Sequence, residues 1–432
     1  MAILAILLFI SIFLLILYGF PVAFTLGGIS TIYALLFLDL ADFTMLPSRI
    51  MGTMTNYVLL AVPLFVYMGI MLEKSGLAES LLETMAMLFG KIKGGLAISV
   101  VVVGALLAAS TGIVGATVIT MGLISLPTML NRGYQPELAT GTIAASGTLG
   151  QIIPPSVVLV LLGDMLGVTV GDLFKAALLP GILLVCCYIL YIFIFAYRNP
   201  AAAPSIPEEE IRAFRKNDFT KKLVQAFLLP FVLIVAVLGS ILSGDATPTE
   251  AAAIGALGAT ILTISQGKFN IKILQAVMQE TTHLTTMVFI ILLGATTFTF
   301  VFRELGGDIY LVNLIEESNL SPNVFLLLVM LVVFVAGFFI DFIEIIFIIV
   351  PVVAPVFEAY EMNLIWIGIL LALNLQTSFL SPPFGFSLFY LKGVAPPEIT
   401  TGHLYRGIIP FVIIQVIFLL MVILFPEVVF LI

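Results

Sequence analysis

Apolar runs of about 20 residues recur along the chain between short polar segments. That is the spacing of helices that cross a hydrocarbon layer roughly 30 Å thick. Crossings are predicted at 2–19, 20–38, 57–73, 139–166 and 171–196, then at 223–243, 248–266, 284–302, 363–392 and 404–430. Two more apolar segments, 95–130 and 322–357, carry polar interruptions: Ser110-Thr111-Gly112 in one, Gly337-Phe-Phe-Ile-Asp341 in the other. Lys91 and Lys93 precede the first segment and Arg132 follows it. Basic flanks at both ends put both ends on the cytoplasmic side, so the segment reads as a re-entrant hairpin with a buried polar tip. The second segment has the same shape between acidic flanks. The stretches 76–92 and 305–320 are too polar to span. Leu77, Leu81, Leu82, Met85 and Leu88 fall near one helical face, as in an interfacial amphipathic helix.

Two of the crossings are interrupted. Residues 147–156 read Gly-Thr-Leu-Gly-Gln-Ile-Ile-Pro-Pro-Ser, and 376–385 read Gln-Thr-Ser-Phe-Leu-Ser-Pro-Pro-Phe-Gly. Proline removes an amide donor and clashes with the preceding turn. In a bilayer, unwound backbone persists only where protein or a water-filled cavity satisfies it. Matched breaks in two halves point to a transporter's binding site. Gly76 matches Gly306, Pro127 matches Pro355, Pro154-Pro155 match Pro382-Pro383, and Pro180 matches Pro410, at offsets of 228 to 230. Five crossings per half would invert the second half. The predicted fold is an all-α polytopic membrane protein of inverted repeats, with two re-entrant helical hairpins and two broken helices. The first repeat covers 1–200, a cytoplasmic linker 197–222, and the second repeat 223–432.

Composition agrees. The chain is 61% hydrophobic and 10% charged, with a mean hydropathy of +1.24, which excludes a soluble globular domain. Six of the 17 basic residues lie in 197–222, which places that loop in the cytoplasm and both chain ends outside. The net charge of −8 is spread over loops and indicates no nucleic-acid partner. Cys186 and Cys187 are adjacent in an apolar run and form no disulfide framework. His283 and His403 stand alone at predicted helix starts, which argues against a transition metal. No Gly-x-x-x-x-Gly-Lys-Ser/Thr loop and no His-Glu-x-x-His motif occurs, which argues against an ATP-driven pump and an intramembrane hydrolase.

Several runs together carry a family resemblance. They are Val62-Pro63-Leu64-Phe65, Met71-Leu-Glu-Lys-Ser-Gly76, Ser110-Thr-Gly112 with Ala116-Thr117, Ala145-Ser-Gly-Thr148, Ile153-Pro-Pro-Ser156, Gly171-Asp-Leu-Phe-Lys-Ala-Ala-Leu-Leu-Pro-Gly181 and Ser381-Pro-Pro-Phe-Gly385. With them the chain resembles, over nearly its whole length, the large membrane subunit of tripartite ATP-independent periplasmic (TRAP) transporters. The resemblance implies a sodium-driven importer of small organic anions in the bacterial inner membrane, moving as an elevator, rather than an enzyme. It implies two protein partners: a four-helix membrane subunit, expected as a separate chain because the first crossing starts at Ala2, and a soluble periplasmic substrate-binding protein. The run Leu380–Gly393 looks closest to branches associated with 2-oxo acids and related monocarboxylates. Some members carry an acidic residue near where Thr117 stands. The alternative is a stand-alone anion transporter of related architecture that needs no binding protein.

The chemistry of the breaks suggests the site. A hard cation wants oxygen ligands, and the C-terminal end of a half-helix offers carbonyls while the N-terminal end of the next offers amides to an anion. The sodium candidates are Ser110, Thr111, Gly112, Ser146, Gly147 and Thr148 in the first half, and Gly337, Asn374, Thr377 and Ser378 in the second. Asp341, ionisable at membrane depth, goes with the second set and borders the substrate pocket with Thr117, Pro154, Pro155, Pro382 and Pro383. The competing readings are that small residues merely let helices pack closely, and that Asp341 only caps the hairpin tip. The charge flanks give a test of orientation. With Cys186 and Cys187 replaced, a cysteine placed within 197–222 should react with an impermeant thiol reagent only in inside-out vesicles. Labelling from the periplasmic side would overturn the orientation.

Overall fold

The computed structural model describes every residue except Met1, Leu40, Asp42, Phe43, Ile113, Asn217, Asp218, Asn319 and Ile432, and the side chains of all the others except Ala2, Ser110, Thr111 and Glu316. The described residues are helical or irregular, with no strand. Residues 1–200 fold as α1 (Ala2–Leu17), α2 (Val22–Phe37), α3 (Leu46–Met54), α4 (Ala61–Lys74), α5 (Leu77–Phe89), α6 (Gly95–Thr111), α7 (Val114–Asn131), α8 (Pro136–Thr148), α9 (Val157–Leu166) and α10 (Val170–Arg198). The linker holds α11 (Glu208–Lys216). Then come α12 (Phe219–Leu242, with a π turn over Val224–Leu228), α13 (Pro248–Ser265), α14 (Ile271–Glu304), α15 (Gly307–Glu317), α16 (Pro322–Ala336), α17 (Phe342–Ala359), α18 (Leu364–Leu380), α19 (Phe386–Val394) and α20 (Thr401–Leu424). Among the described residues, six helices can cross a membrane by length and composition, or seven if the α3–α4 pair, bent by 48°, is one span.

The same succession occurs twice: a span, a short arm, a helical hairpin, a helix broken in two, and a long helix. In each half the span ends at a glycine in the left-handed region, Gly76 (φ 69°) or Gly306 (φ 75°), which only glycine adopts at little cost. The arm follows at once. In α5 the residues Leu77, Leu81, Leu82 and Met85 are buried, and the helix lies against α6 and the π turn of α12.

Two elements differ from the sequence expectation. The predicted crossing 284–302 is the second part of α14, which runs for 34 residues, roughly 51 Å at 1.5 Å per residue. Its first three turns carry Gln275, Gln279, Glu280 and Thr281, so hydropathy alone hides them. His283 is therefore well inside a helix and not at its start, whereas His403 does cap α20 through a Thr400 capping box. The second unpredicted element is α3, whose nine residues include Pro47, Ser48 and Arg49.

The helices form two groups. One packs α2 on α14, α4 on α13 and α14, and α12 on α13. The other packs α8 against α6, α7 and α20, α18 against α16 and α20, α9 against α17, and α19 against α7. Two polar contacts bridge the groups. Thr120 Oγ1 of α7 donates to Glu73 Oε1 of α4 at 2.5 Å. Asn56 Nδ2, in the α3–α4 bend, donates to Asp164 Oδ1 at the end of α9 at 2.6 Å.

The linker is a strap across both ends of the first hairpin. Gly94 N donates to Ala203 O (3.0 Å), Gln135 N to Ala202 O (2.9 Å), and Ile206 N to Gly90 O (2.8 Å). Ala203 and Ile206 are buried beneath it. Arg132 holds both carboxylate oxygens of Glu210, at 2.5 and 3.1 Å. That hydrogen bond pulls the Glu210 carboxyl below its ordinary value of 4.5. A lowered folded value means the pair's contribution is complete above about pH 4.5 and is lost as the pH falls through the lowered value. Both side chains are partly solvated, so the contribution is at most about 1 kcal/mol. Glu210→Gln should therefore melt slightly below the wild type in detergent at neutral pH, and the gap should close in acid. A gap independent of pH would contradict this role for the pair.

Candidate functional site

Each broken helix unwinds where the sequence places its proline pair. The first passes from α8 through a 3-10 turn at Leu149–Gln151 and the Pro154-Pro155 pair into α9. The second leaves α18 at Ser381, passes Pro382-Pro383 and restarts at Phe386. Both proline pairs contain a cis bond. Each break is covered by the tip of its own hairpin. At the first tip Gly112 (φ 63°) lies so close to α9 that a Cβ there would sit 2.9 Å from Val157 N. Gly150 approaches the tip from the other side; its Cβ would be 2.4 Å from Ala108 O. At the second tip a Cβ on Gly337 would lie 2.1 Å from Ser378 Oγ.

These contacts are related by the repeat. Gly150 and Ser378 are 228 apart, and Ala108 and Gly337 are 229 apart. In one half the glycine belongs to the broken helix, in the other to the hairpin. Either way one of the pair has no side chain, which lets the backbones close in. The two breaks also touch one another. Gln376 Nε2 donates to Thr148 Oγ1 at 3.4 Å, and these two residues are themselves 228 apart. Equivalent positions of the two halves thus meet at the centre of the second helix group.

The candidate side chains fall as follows. Ser146, Thr148, Thr377 and Ser378 are buried, and each hydroxyl donates to a carbonyl of its own helix: Ile143 O, Ala145 O, Leu373 O and Leu375 O, at 2.7 to 3.1 Å. A hydroxyl whose proton is so engaged still presents lone pairs, which fits a hard cation. Asn374 Nδ2 donates to Met330 O of α16 at 2.7 Å, joining broken helix to hairpin. Gly147 is a contact glycine; a Cβ there would meet Val118 Cγ2 at 2.4 Å. Ser110 and Thr111 belong to the last turn of α6, but their side chains lie outside the described residues. Asp341 caps α17: its Oδ1 accepts from Phe342 N at 2.6 Å, while Glu344 Oε2 accepts from Asp341 N at 3.2 Å.

A cavity of about 380 Å³ lies between the hairpin tips and the other helix group. Val114, Val157 and Phe342 line it, and they are the first residues of α7, α9 and α17. Three helix N-termini thus converge on one space; the first amide of α17 is taken by the Asp341 carboxylate, so α7 and α9 are the ends that turn amides and a positive dipole toward an anion. Asp341 lines it as well, as do Tyr390 of α19 and Glu280 of α14. Thr117, which directly follows Gly115 and Ala116 of the cavity lining, is itself buried. None of Pro154, Pro155, Pro382 and Pro383 borders this cavity; the prolines shape the breaks behind it. Sequence reading missed Tyr390, Glu280 and Gln151. Gln151 is fully buried, and neither side-chain polar atom has a partner among the described residues. A glutamine inside a proline-flanked break was the available signal.

A sequence profile for the "tripartite ATP-independent periplasmic transporter, DctM component" matches residues 9–428. The chain belongs to this TRAP family. It is similar to the C4-dicarboxylate TRAP transporter large permease protein of Pseudomonas aeruginosa, at 31% identity over 381 residues, covering 88% of this chain and 87% of that one. It is also similar to the sialic acid TRAP large permease of Vibrio cholerae (30% identity; 95% and 93% covered) and the ectoine TRAP large permease of Halomonas elongata (28%; 96% and 95%). Among solved structures, the YdaH transporter of Alcanivorax borkumensis shares the fold at 16% identity, with a TM-score of 0.64 over 94% of this chain and 98% of that one. This TRAP permease is thus a multi-pass transporter subunit and not an enzyme.

The swapped glycine contacts of the permease can be tested. Gly337→Ala alone forces a Cβ into Ser378 and should cost about 1–3 kcal/mol. Adding Ser378→Gly recreates the Ala108–Gly150 arrangement of the first half and should restore most of the melting temperature. An equally unstable double variant would contradict the reading of this contact.

Proposed function

We infer that the permease imports a small organic acid anion, driven by the sodium gradient, after a soluble periplasmic binding protein hands the anion over. The observation that carries this reading is the cavity on which the N-termini of α7, α9 and α17 converge between the two helix breaks. The positive helix ends suit a carboxylate. The carbonyls and hydroxyls on the opposite side of each break suit sodium. One ion would sit by Ser110, Thr111, Gly112, Ser146, Gly147 and Thr148, another by Gly337, Asn374, Thr377 and Ser378. Binding sodium would draw each hairpin tip onto its broken helix and so complete the anion pocket, which couples the two solutes.

Transport would follow from motion of the helix group that holds both hairpins against the group built on α4 and α14. The two hairpins would be re-entrant and the halves inverted, so that one pocket faces the two sides in turn. Related permeases are named for a C4-dicarboxylate, sialic acid and ectoine, so small organic solutes, acids among them, are the range. The run Leu380–Gly393 favours a 2-oxo acid or related monocarboxylate. A small four-helix membrane subunit would complete the assembly in the bacterial inner membrane and cover lipid-facing apolar surface.

In proteoliposomes holding the permease, its small subunit and loaded binding protein, an inward sodium gradient alone should drive uptake. Equal uptake with potassium on both sides would rule out sodium coupling, and equal uptake without the binding protein would favour the stand-alone alternative. Thr111→Ala with Ser146→Ala, and Thr377→Ala with Ser378→Ala, each remove hydroxyls worth about 1.5–3 kcal/mol per contact to a charge. Half-saturation by sodium should rise roughly ten- to a hundredfold, with maximal uptake falling less. Unchanged half-saturation in both variants would leave close packing as their only role.

A further inference from the structure

A second and larger cavity, of about 950 Å³, lies at the other end of the boundary between the helix groups. The last turns of α14 line it, with α3, and with Asp164 and Met165 of α9 opposite. The basic linker strap, which the charge flanks place in the cytoplasm, marks the inner end of the molecule. Asp164 lies at the far end of α10 from that strap, roughly 43 Å away along 29 residues. The cavity is therefore an outer vestibule. Two arginines line it, Arg49 of α3 and Arg303 of α14. Both are exposed within it, and neither guanidinium has an ion-pair or hydrogen-bond partner among the described residues.

The repeat makes this notable in chemical terms. Arg303 and Glu304 occupy the positions 230 after Glu73 and Lys74, so the charges are reversed between the halves. Position 279, which is 230 after Arg49, adjoins Glu280. On these two helix pairs the inner end thus carries two acids and one base, and the outer end two bases and one acid. The inner set is internally satisfied: Lys74 pairs with Glu280 at 3.0 Å, and Glu73 accepts from Thr120. In the outer set no such pairing forms. Asp164, across the vestibule, already accepts from Asn56, and Glu304 makes no ion pair among the described residues. The outer guanidiniums are left to face the cavity, where low-dielectric walls focus their field.

We propose that Arg49 and Arg303 form a carboxylate-capture site in the outer vestibule, distinct from the cavity between the hairpin tips, which holds the substrate anion before it reaches that cavity. A guanidinium fork matches a carboxylate with two parallel hydrogen bonds. The hydroxyls of Ser48 and Thr299, in the same wall, suit a hydroxyl or oxo substituent beside it. The proposal rests on the transport reading for its purpose, but the site can be tested without transport.

Phenylglyoxal modifies exposed arginines, and peptide mass spectrometry can follow each one in the full permease in nanodiscs. Pyruvate and, separately, succinate should slow modification of Arg49 and Arg303 together, by roughly tenfold at ten times the dissociation constant, and leave Arg198 unaffected. Chloride at matched ionic strength should give no protection. Arg303→Gln should remove the protection at Arg49, and Asp341→Asn, at the inner cavity, should leave it intact. Modification unchanged by both acids, or slowed as much by chloride, would overturn the site, as would full protection of Arg49 in Arg303→Gln. Since the readout needs neither sodium nor binding protein, protection without sodium-driven uptake would overturn only the transport reading, and uptake without protection only the capture site.

Discussion

The structure is governed by the cost of leaving backbone polar groups unpaired away from water. A helix broken inside apolar surroundings exposes carbonyls at one end and amides at the other, and each unsatisfied group there costs on the order of several kcal/mol. The fold answers by bringing a second set of backbone ends to each break, the hairpin tip. Close approach is what makes this work, and it dictates the residue types. Gly112 and Gly150 in one half, Gly337 in the other, stand where any side chain would collide with backbone or with Ser378. The small polar residues around them are therefore both packing elements and a supply of oxygens. On the proposed reading the same arrangement would also take a sodium ion.

Repeating that solution twice produces a site that neither half contains. The hydrogen bond between Gln376 and Thr148, at equivalent positions of the two halves, ties the breaks into one group. The N-termini of α7, α9 and α17, drawn from both halves, then face one cavity. Charge does not follow the repeat. Glu73-Lys74 becomes Arg303-Glu304, so the two ends of the boundary between the helix groups differ in sign although their backbones correspond. A transporter built from matching halves needs some such asymmetry if capture and release are to differ.

Much of this was legible in the sequence because helix breakers inside apolar runs are rare and carry a physical meaning. The proline pairs, the glycine-rich tips and the 228-to-230 offsets located both breaks and both hairpins. The family runs, from Val62-Pro63 to Ser381-Pro-Pro, fixed the assignment that the profile match supports. What was hidden is equally instructive. The first turns of α14 and all of α3 read as loop because their polar residues lower the hydropathy; of these, Ser48, Arg49 and Glu280 line cavities between the helix groups. Nothing local set Glu280, Arg49 and Arg303 apart from the other charges near the ends of apolar runs. The proline pairs were expected to touch the substrate, but none borders the cavity. Tyr390 could not be found at all without knowing that α19 packs on α7, since nothing local sets it apart from the chain's other aromatics.

The central claim is that the helix group holding both hairpins moves as one body against α4 and α14. Thr120 on α7 and Glu73 on α4 are in contact across that boundary, whereas Gly122 on α7 and Val394 on α19 are in contact within the moving body. With Cys186 and Cys187 replaced, cysteines at each pair can be oxidised in proteoliposomes and uptake compared before and after reduction. The account predicts that the Glu73–Thr120 cross-link stops uptake reversibly while the Gly122–Val394 cross-link does not. Undiminished uptake with the Glu73–Thr120 cross-link complete would contradict it.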